Sequence, residues 1–160
     1  MAVHKLSLED FFEEEPYALF GIHCTIDDYR LAYLINRYLD IGLKRKTKDL
    51  DFRSNQTYAI FEWDDEKMQS SWNLVSNICR LEVEDESQAV SLFSAQTKVV
   101  KPFYLVPEYK KVNYILKVKG LSQSTKEKLL LDKIQKIPQV VTAYSLDSDK
   151  IKLKHHLIFD

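Results

Sequence analysis

Three glycines and four prolines in 160 residues leave little room for a glycine-rich phosphate loop or for long structureless linkers. Cysteine is equally sparse. Cys24 and Cys79 stand far apart, without the density of a disulfide scaffold, and they read as reduced thiols of a cytoplasmic protein. No apolar run approaches the roughly 20 residues that span a bilayer, so no membrane partner is expected. Residues 1–12 lack a basic stretch followed by an apolar core and a small-residue cleavage site, so nothing indicates secretion. Arginine is missing from residues 98–154, where 13 lysines face 5 acids. The planar guanidinium fork suits phosphates and base edges best, so that gap counts against specific nucleic-acid readout.

What is present describes a folded chain. Hydrophobic residues make up 45% and charged residues 29%, too apolar for a disordered segment. Residues 1–160 suit one domain that buries roughly two-thirds of its unfolded surface. The net charge of −1 hides an asymmetry: residues 1–80 carry 10 basic and 14 acidic side chains, residues 81–160 carry 13 and 10. A lysine excess on the C-terminal side suits an anionic partner.

Residues 17–23 are short, aromatic and β-branched after Pro16, a strand signal. Thr25-Ile26-Asp27-Asp28 has the form of a capping box ahead of a helix over 27–41. Leu31, Leu34, Ile35 and Tyr38 have the spacing of its buried face, Arg30, Arg37 and Asp40 stay wet, and Gly42 stands where a helix-ending glycine belongs. Residues 43–52 and 57–63 form a hairpin joined through residues 53–56, and 64–67 make the next turn. Residues 70–80 alternate with mixed character on both faces, as in the middle of an antiparallel sheet. Residues 82–88 read as an acidic loop, and 89–100 fit helix or strand equally.

Residues 103–106 form a strand that ends at Pro107. Residues 112–119 form another, with Val112, Tyr114, Leu116 and Val118 on one parity and Asn113, Ile115, Lys117 and Lys119 on the other. A helix over 124–137 can be capped by Ser124 or Thr125, carries Leu130, Ile134 and Ile137 on one face, and stops at Pro138. Strands over 140–146 and 150–159 follow. The fold class is α+β: a mainly antiparallel sheet with two helices packed on one side, built from two strand-helix-strand-strand halves, each able to hold one parallel pair.

The stretch Val106-Pro107-Glu108-Tyr109-Lys110-Lys111-Val112-Asn113-Tyr114 resembles the signature of the IPExxxVDY family of uncharacterised bacterial proteins. His4-Lys5-Leu6, Asp28-Tyr29-Arg30-Leu31-Ala32 with Asn36, and Leu157-Ile158-Phe159 extend the resemblance over most of the chain. Val106 stands in place of Ile and Asn113 in place of Asp. The resemblance implies a fold and no activity, and asparagine at 113 argues against an ionising catalytic acid there. A structural role suffices for the motif residues Pro107, Glu108, Val112, Asn113 and Tyr114. Proline opens the turn, Glu108 accepts from backbone amides or pairs with Lys110 or Lys111, and Tyr114 points into the core with its hydroxyl on a buried partner.

Other constellations carry less. His23 and Cys24, adjacent on a strand, project to opposite faces and cannot act as a nucleophile and its base. His23, Cys24, Cys79, His155 and His156 lack metal-ligand spacing, so no metal and no cofactor is expected. The acidic runs 13–15 and 82–86 read as solvated loops. The alternating lysines are the functional lead. With strands 112–119 and 150–159 in one sheet, Lys117, Lys119, Lys150, Lys152 and Lys154 would share a face, unless they only guard edge strands. The expectation is a non-catalytic cytoplasmic interaction module that binds an acidic protein through that face. An RNA-associated protein using the same lysines is the alternative, an enzyme of unknown reaction comes third, and homodimerisation across an edge strand is a further mode.

Overall fold

The computed structural model describes residues 16–52, 55–85, 98–121 and 124–159. Of the undecided segment 89–100, residues 98–100 are strand, while 89–97, the acidic residues 13–15 and 86, and the cap at Ser124 or Thr125 lie outside the residues and side chains described. The elements are β1 (Tyr17–Cys24), α1 (Asp28–Leu39), β2 (Lys44–Arg45), β3 (Leu50–Phe52), β4 (Gln56–Tyr58), β5 (Ile60–Asp65), β6 (Ser70–Ser76), β7 (Ile78–Glu84), β8 (Lys98–Tyr104), β9 (Tyr114–Lys119), α2 (Ser124–Gln135) and β10 (Val140–Ser145). Six strands form the main sheet in the order β10-β1-β9-β6-β5-β2, with two ribbons beside it, β3-β4 and β7-β8. The chain is α+β, with both helices on one face of an antiparallel sheet.

Both faces of the sheet are covered, which makes three layers. Phe20, Ile22, Leu74, Leu116 and Val118 meet Leu31 and Ile35 of α1 and Leu130 and Ile134 of α2. On the opposite face Leu19, Val75 and Ile115 meet Tyr58, Leu105, Leu146, Ile151, Leu157 and Phe159. A fully buried Leu or Ile contributes about 1.5–3 kcal/mol, so two such layers hold the sheet from both sides. This is why the strand alternations looked mixed: β9 and β6 have no solvent face.

Every strand pair among the described residues is antiparallel. The expected parallel neighbours do not form. β9 and β10 run the same way but β1 lies between them, because α2 carries the chain across one strand before it returns. The hairpin over 43–63 is split: β2 pairs with β5 in the main sheet, while β3 and β4 form their own ribbon. Residues 70–80 break at Asn77, where the chain leaves the main sheet to start β7. The acidic residues 82–84, expected in a loop, continue β7 opposite the lysines of β8, where Lys98 Nζ lies 3.9 Å from Glu82.

Helix α1 buries Leu31, Ala32, Ile35 and Leu39, which turns its inner face away from Tyr38. The capping box does not form. Asp27 makes no side-chain cap, and Asp28 Oδ1 accepts from the N–H of Tyr29 at 2.6 Å. The helix ends on Asp40, left-handed at φ 57°, not on Gly42. Gly42 packs against Trp63: a Cβ there would stand 3.1 Å from Trp63 Nε1, so any side chain would require the indole to shift by a few tenths of an ångström.

The last strand does not exist. Ser148–Lys150 and Lys154–Leu157 are 3₁₀ turns. Ile151, Leu157 and Phe159 are buried but Leu153 is exposed, so the apparent alternation never lay on one face. The tail packs its anchors onto β9 and β1 instead of pairing with them.

The two edges of the main sheet differ. β2 is two residues long and basic, whereas β10 carries no charge and exposes Val141 and Tyr144. Leu146 N–H donates to Leu19 O, so alternation points the backbone groups of Ala143 outward. The Gln135 side chain donates to that carbonyl at 2.7 Å, which closes part of the edge.

Candidate functional site

The motif around Pro107 is a clamp built on Asn77. Pro107–Tyr109 is one 3₁₀ turn with proline in its first position. Asn77 is fully buried, and its amide nitrogen donates to the carbonyls of Tyr109 (3.0 Å) and Val112 (2.9 Å). Its amide oxygen accepts from Val106 N–H at 2.8 Å. The Asn77 backbone bonds Asn113 O and Leu105 N, so both ends of the loop are tied to one residue. Glu108 bonds neither Lys110 nor Lys111 here; its carboxylate accepts from the backbone N–H of Lys152 at 3.1 Å and holds the tail.

Asn113 Oδ1 accepts from Cys24 N–H at 3.1 Å, and Tyr114 Oη donates to Ile26 O at 2.8 Å. Both close the β1–α1 loop over the ends of the central strands. Val112 does not share a face with Tyr114: it packs on the tail side and Tyr114 on the helix side. Burial, then the Cys24 thiol beside it, pushes the Tyr114 hydroxyl well above its ordinary range. Burial also pushes the Cys24 thiol up, which keeps it protonated and weakly nucleophilic.

His23 and Cys24 face opposite layers, and His23 Nδ1 is buried without a hydrogen-bond partner among the described residues. His155 and His156 do not diverge as strand neighbours would. In the 3₁₀ turn their rings meet edge to face at 4.5 Å, and His156 Nδ1 lies 2.8 Å from Leu105 O. Among the described residues no three His, Cys, Asp or Glu side chains gather to hold a metal.

The lysines do not make the expected face. Lys117 is only 4% exposed, because β9 is a central strand and the tail lies over it. Its ammonium donates to Leu157 O and stands 4.6 Å from the centre of the Tyr17 ring and 5.3 Å from that of Phe159. Lys119 is half-buried, opposite Tyr17 and Ser71. Lys150, Lys152 and Lys154 are exposed on the irregular tail, and Lys154 Nζ lies 3.7 Å from Asp149.

The exposed surface with the chemistry of a recognition face is on α1. Tyr29 and Tyr33 are each 62% exposed one turn apart, and Arg30 and Arg37 fall in the same 100° arc, opposite the buried stripe. Neither arginine has a carboxylate partner among the described residues. Arg45, by contrast, is held by Asp28 at 3.1 Å and Asp49 at 2.5 Å. The spacing Tyr29, Arg30, Tyr33, Arg37 is present in the sequence, where it reads only as the wet side of an amphipathic helix.

No protein-family model matches the chain, and no curated protein matches it. The resemblance to the IPExxxVDY signature therefore rests on its motif residues alone.

Proposed function

We propose that the protein is a cytoplasmic interaction module that binds an acidic protein segment through the outer face of α1. The observation that carries this reading is the exposed Tyr29–Tyr33 pair flanked by Arg30 and Arg37, which have no carboxylate partner among the described residues. Tyrosine and arginine are enriched where interfaces concentrate binding energy, and lysine is depleted there, which favours this face over Lys150, Lys152 and Lys154. The guanidinium fork takes a carboxylate through two parallel hydrogen bonds, so a partner carrying Asp or Glu beside an apolar or aromatic residue fits both halves of the surface. The free and buried Cys24 and Cys79 suit a reducing compartment.

RNA would use the same tyrosines for stacking and the arginines for phosphates. Two phosphate contacts give a log–log salt slope of only about −1.4 on a single strand, a weak hold. That magnitude favours the acidic protein.

The test is selection from a displayed random-peptide library, on the native chain and on an Arg30→Glu/Arg37→Glu variant. Acid-rich peptides with aromatic or apolar neighbours should be enriched on the native chain and lost on the variant. Enrichment of peptides without acids, or retention by the variant, would overturn the assignment. Uniform single-stranded RNA that binds at low salt and is lost in the same variant would replace the partner class.

A further inference from the structure

We infer that the protein carries a binding site for a small organic monoanion, between the C-terminal end of α1, α2 and the helix-side face of β5 and β6. An open cavity of about 340 Å³ lies there, within the range of small-ligand pockets. Trp63 and Trp72 stand directly opposite one another on β5 and β6, with ring centroids 6.1 Å apart and planes tilted by 48°, and both line it. Leu39, Ile41, Leu129 and Leu130 complete an apolar wall. The site is separate from the outer face of α1.

The polar groups decide the ligand class. Four charged side chains line the cavity: Lys126 and Lys133 from α2, Asp40 from the end of α1, and Asp65 from the end of β5. Asp65 is committed to its own turn, where Oδ1 accepts from the N–H groups of Lys67 (3.0 Å) and Met68 (3.2 Å). The four charges balance in sum but are divided between walls: both ammonium groups belong to one face of α2, seven residues apart, whereas the carboxylates come from the ends of α1 and β5. The Trp72 N–H donates to Ser70 Oγ at 3.0 Å, while the Trp63 N–H has no acceptor among the described residues. An aromatic or compact apolar body against the indoles, with a carboxylate turned to Lys126 and Lys133, satisfies the wall and the rim together.

The chain has two tryptophans and both line this cavity, so tryptophan fluorescence reports on the site alone. The probes are 3-phenylpropionate, 3-phenylpropylamine and 3-phenylpropanol, which share a body and differ in charge. The carboxylate should shift the emission saturably at sub-millimolar to millimolar concentration, with the amine and alcohol about tenfold weaker or worse. Lys126→Glu/Lys133→Glu should lower carboxylate affinity by about tenfold or more, since both side chains are exposed and do not hold the fold. Leu129→Trp, starting from an exposed leucine, should fill the cavity and abolish the response; Met68→Trp does the same from the opposite rim if the first variant fails to fold. A missing saturable response, equal binding of the amine, or unchanged affinity in the lysine variant would overturn the assignment.

Discussion

The Lys117 ammonium donates to the Leu157 carbonyl at 2.5 Å, from a central strand to a tail forty residues further on. The Tyr17 and Phe159 rings stand beside the charge, so two π faces join the carbonyl dipole among its partners. A hydrogen bond from a charged donor is worth about 1.5–3 kcal/mol. Lys117→Met keeps the apolar stem, removes the charge and leaves the carbonyl unpaired; urea denaturation should show a loss of about 2 kcal/mol. Lys117→Glu sets a carboxylate against that carbonyl and should release the tail, seen as rapid proteolysis after residue 146 in the absence of denaturant. A Lys117→Met variant as stable as the native chain would show that the ammonium does not hold the tail.

Asn77 ties the motif loop to the point where the chain changes sheets. Its side chain makes three hydrogen bonds, all to backbone groups of residues 106–112. Asn77→Ala should cost about 3–4 kcal/mol at roughly 1 kcal/mol or slightly more per bond. Asn77→Asp keeps the acceptor but turns a second oxygen toward two carbonyls, and should be worse still at neutral pH. The order native, alanine, aspartate in urea midpoint is the check; equal midpoints for the native chain and Asn77→Ala would remove the clamp.

Alkaline stability follows from two buried phenols. Burial, helped by nearby thiols, raises Tyr58 to about 12 and Tyr114 further in the same direction. The unfolded chain ionises near pH 10, while the folded chain keeps both protons, so their contribution is intact below that value and falls as pH rises above it. Each group adds at most about 1.4 kcal/mol of loss per pH unit. Tyr114→Phe should lose about 1 kcal/mol at pH 7 with its bond to Ile26 O, and its stability should fall less steeply than the native chain's above about pH 10. Urea titrations from about pH 8 to about pH 11 measure both slopes; parallel slopes would contradict the assignment.

Helix α1, the sheet's antiparallel character and the class of the fold were legible because period and length agree at those elements. Lys117 was not. On a strand with one wet face an alternating lysine points to solvent, but β9 is covered on both sides, and only long-range packing of the tail says so. The tail misled for a related reason: Ile151, Leu157 and Phe159 supplied a strand-like pattern, yet they anchor separate turns. The cavity between α1 and α2 was invisible because Trp63, Trp72, Lys126 and Lys133 come from three elements with no shared spacing.

Asn113 connects the motif to the rest of the molecule, and its bonding there leaves room for an aspartate. The one bond its side chain makes among the described residues is as an acceptor, from Cys24 N–H at 3.1 Å, at the end of β1. A carboxylate oxygen accepts the same N–H, and more strongly, so ionisation is compatible with the position but not required by it. Asp27 and Arg80 line the same cleft, one charge of each sign, and leave little net field to penalise or reward an added carboxylate. Asn113→Asp should therefore keep stability within about 1 kcal/mol of the native chain at pH 7, whereas Asn113→Ala strands the Cys24 N–H and should cost about 1–2 kcal/mol. Urea midpoints of the two variants decide the matter. An Asn113→Asp variant as damaged as Asn113→Ala would mean that the amide nitrogen, not the oxygen, is what the site uses.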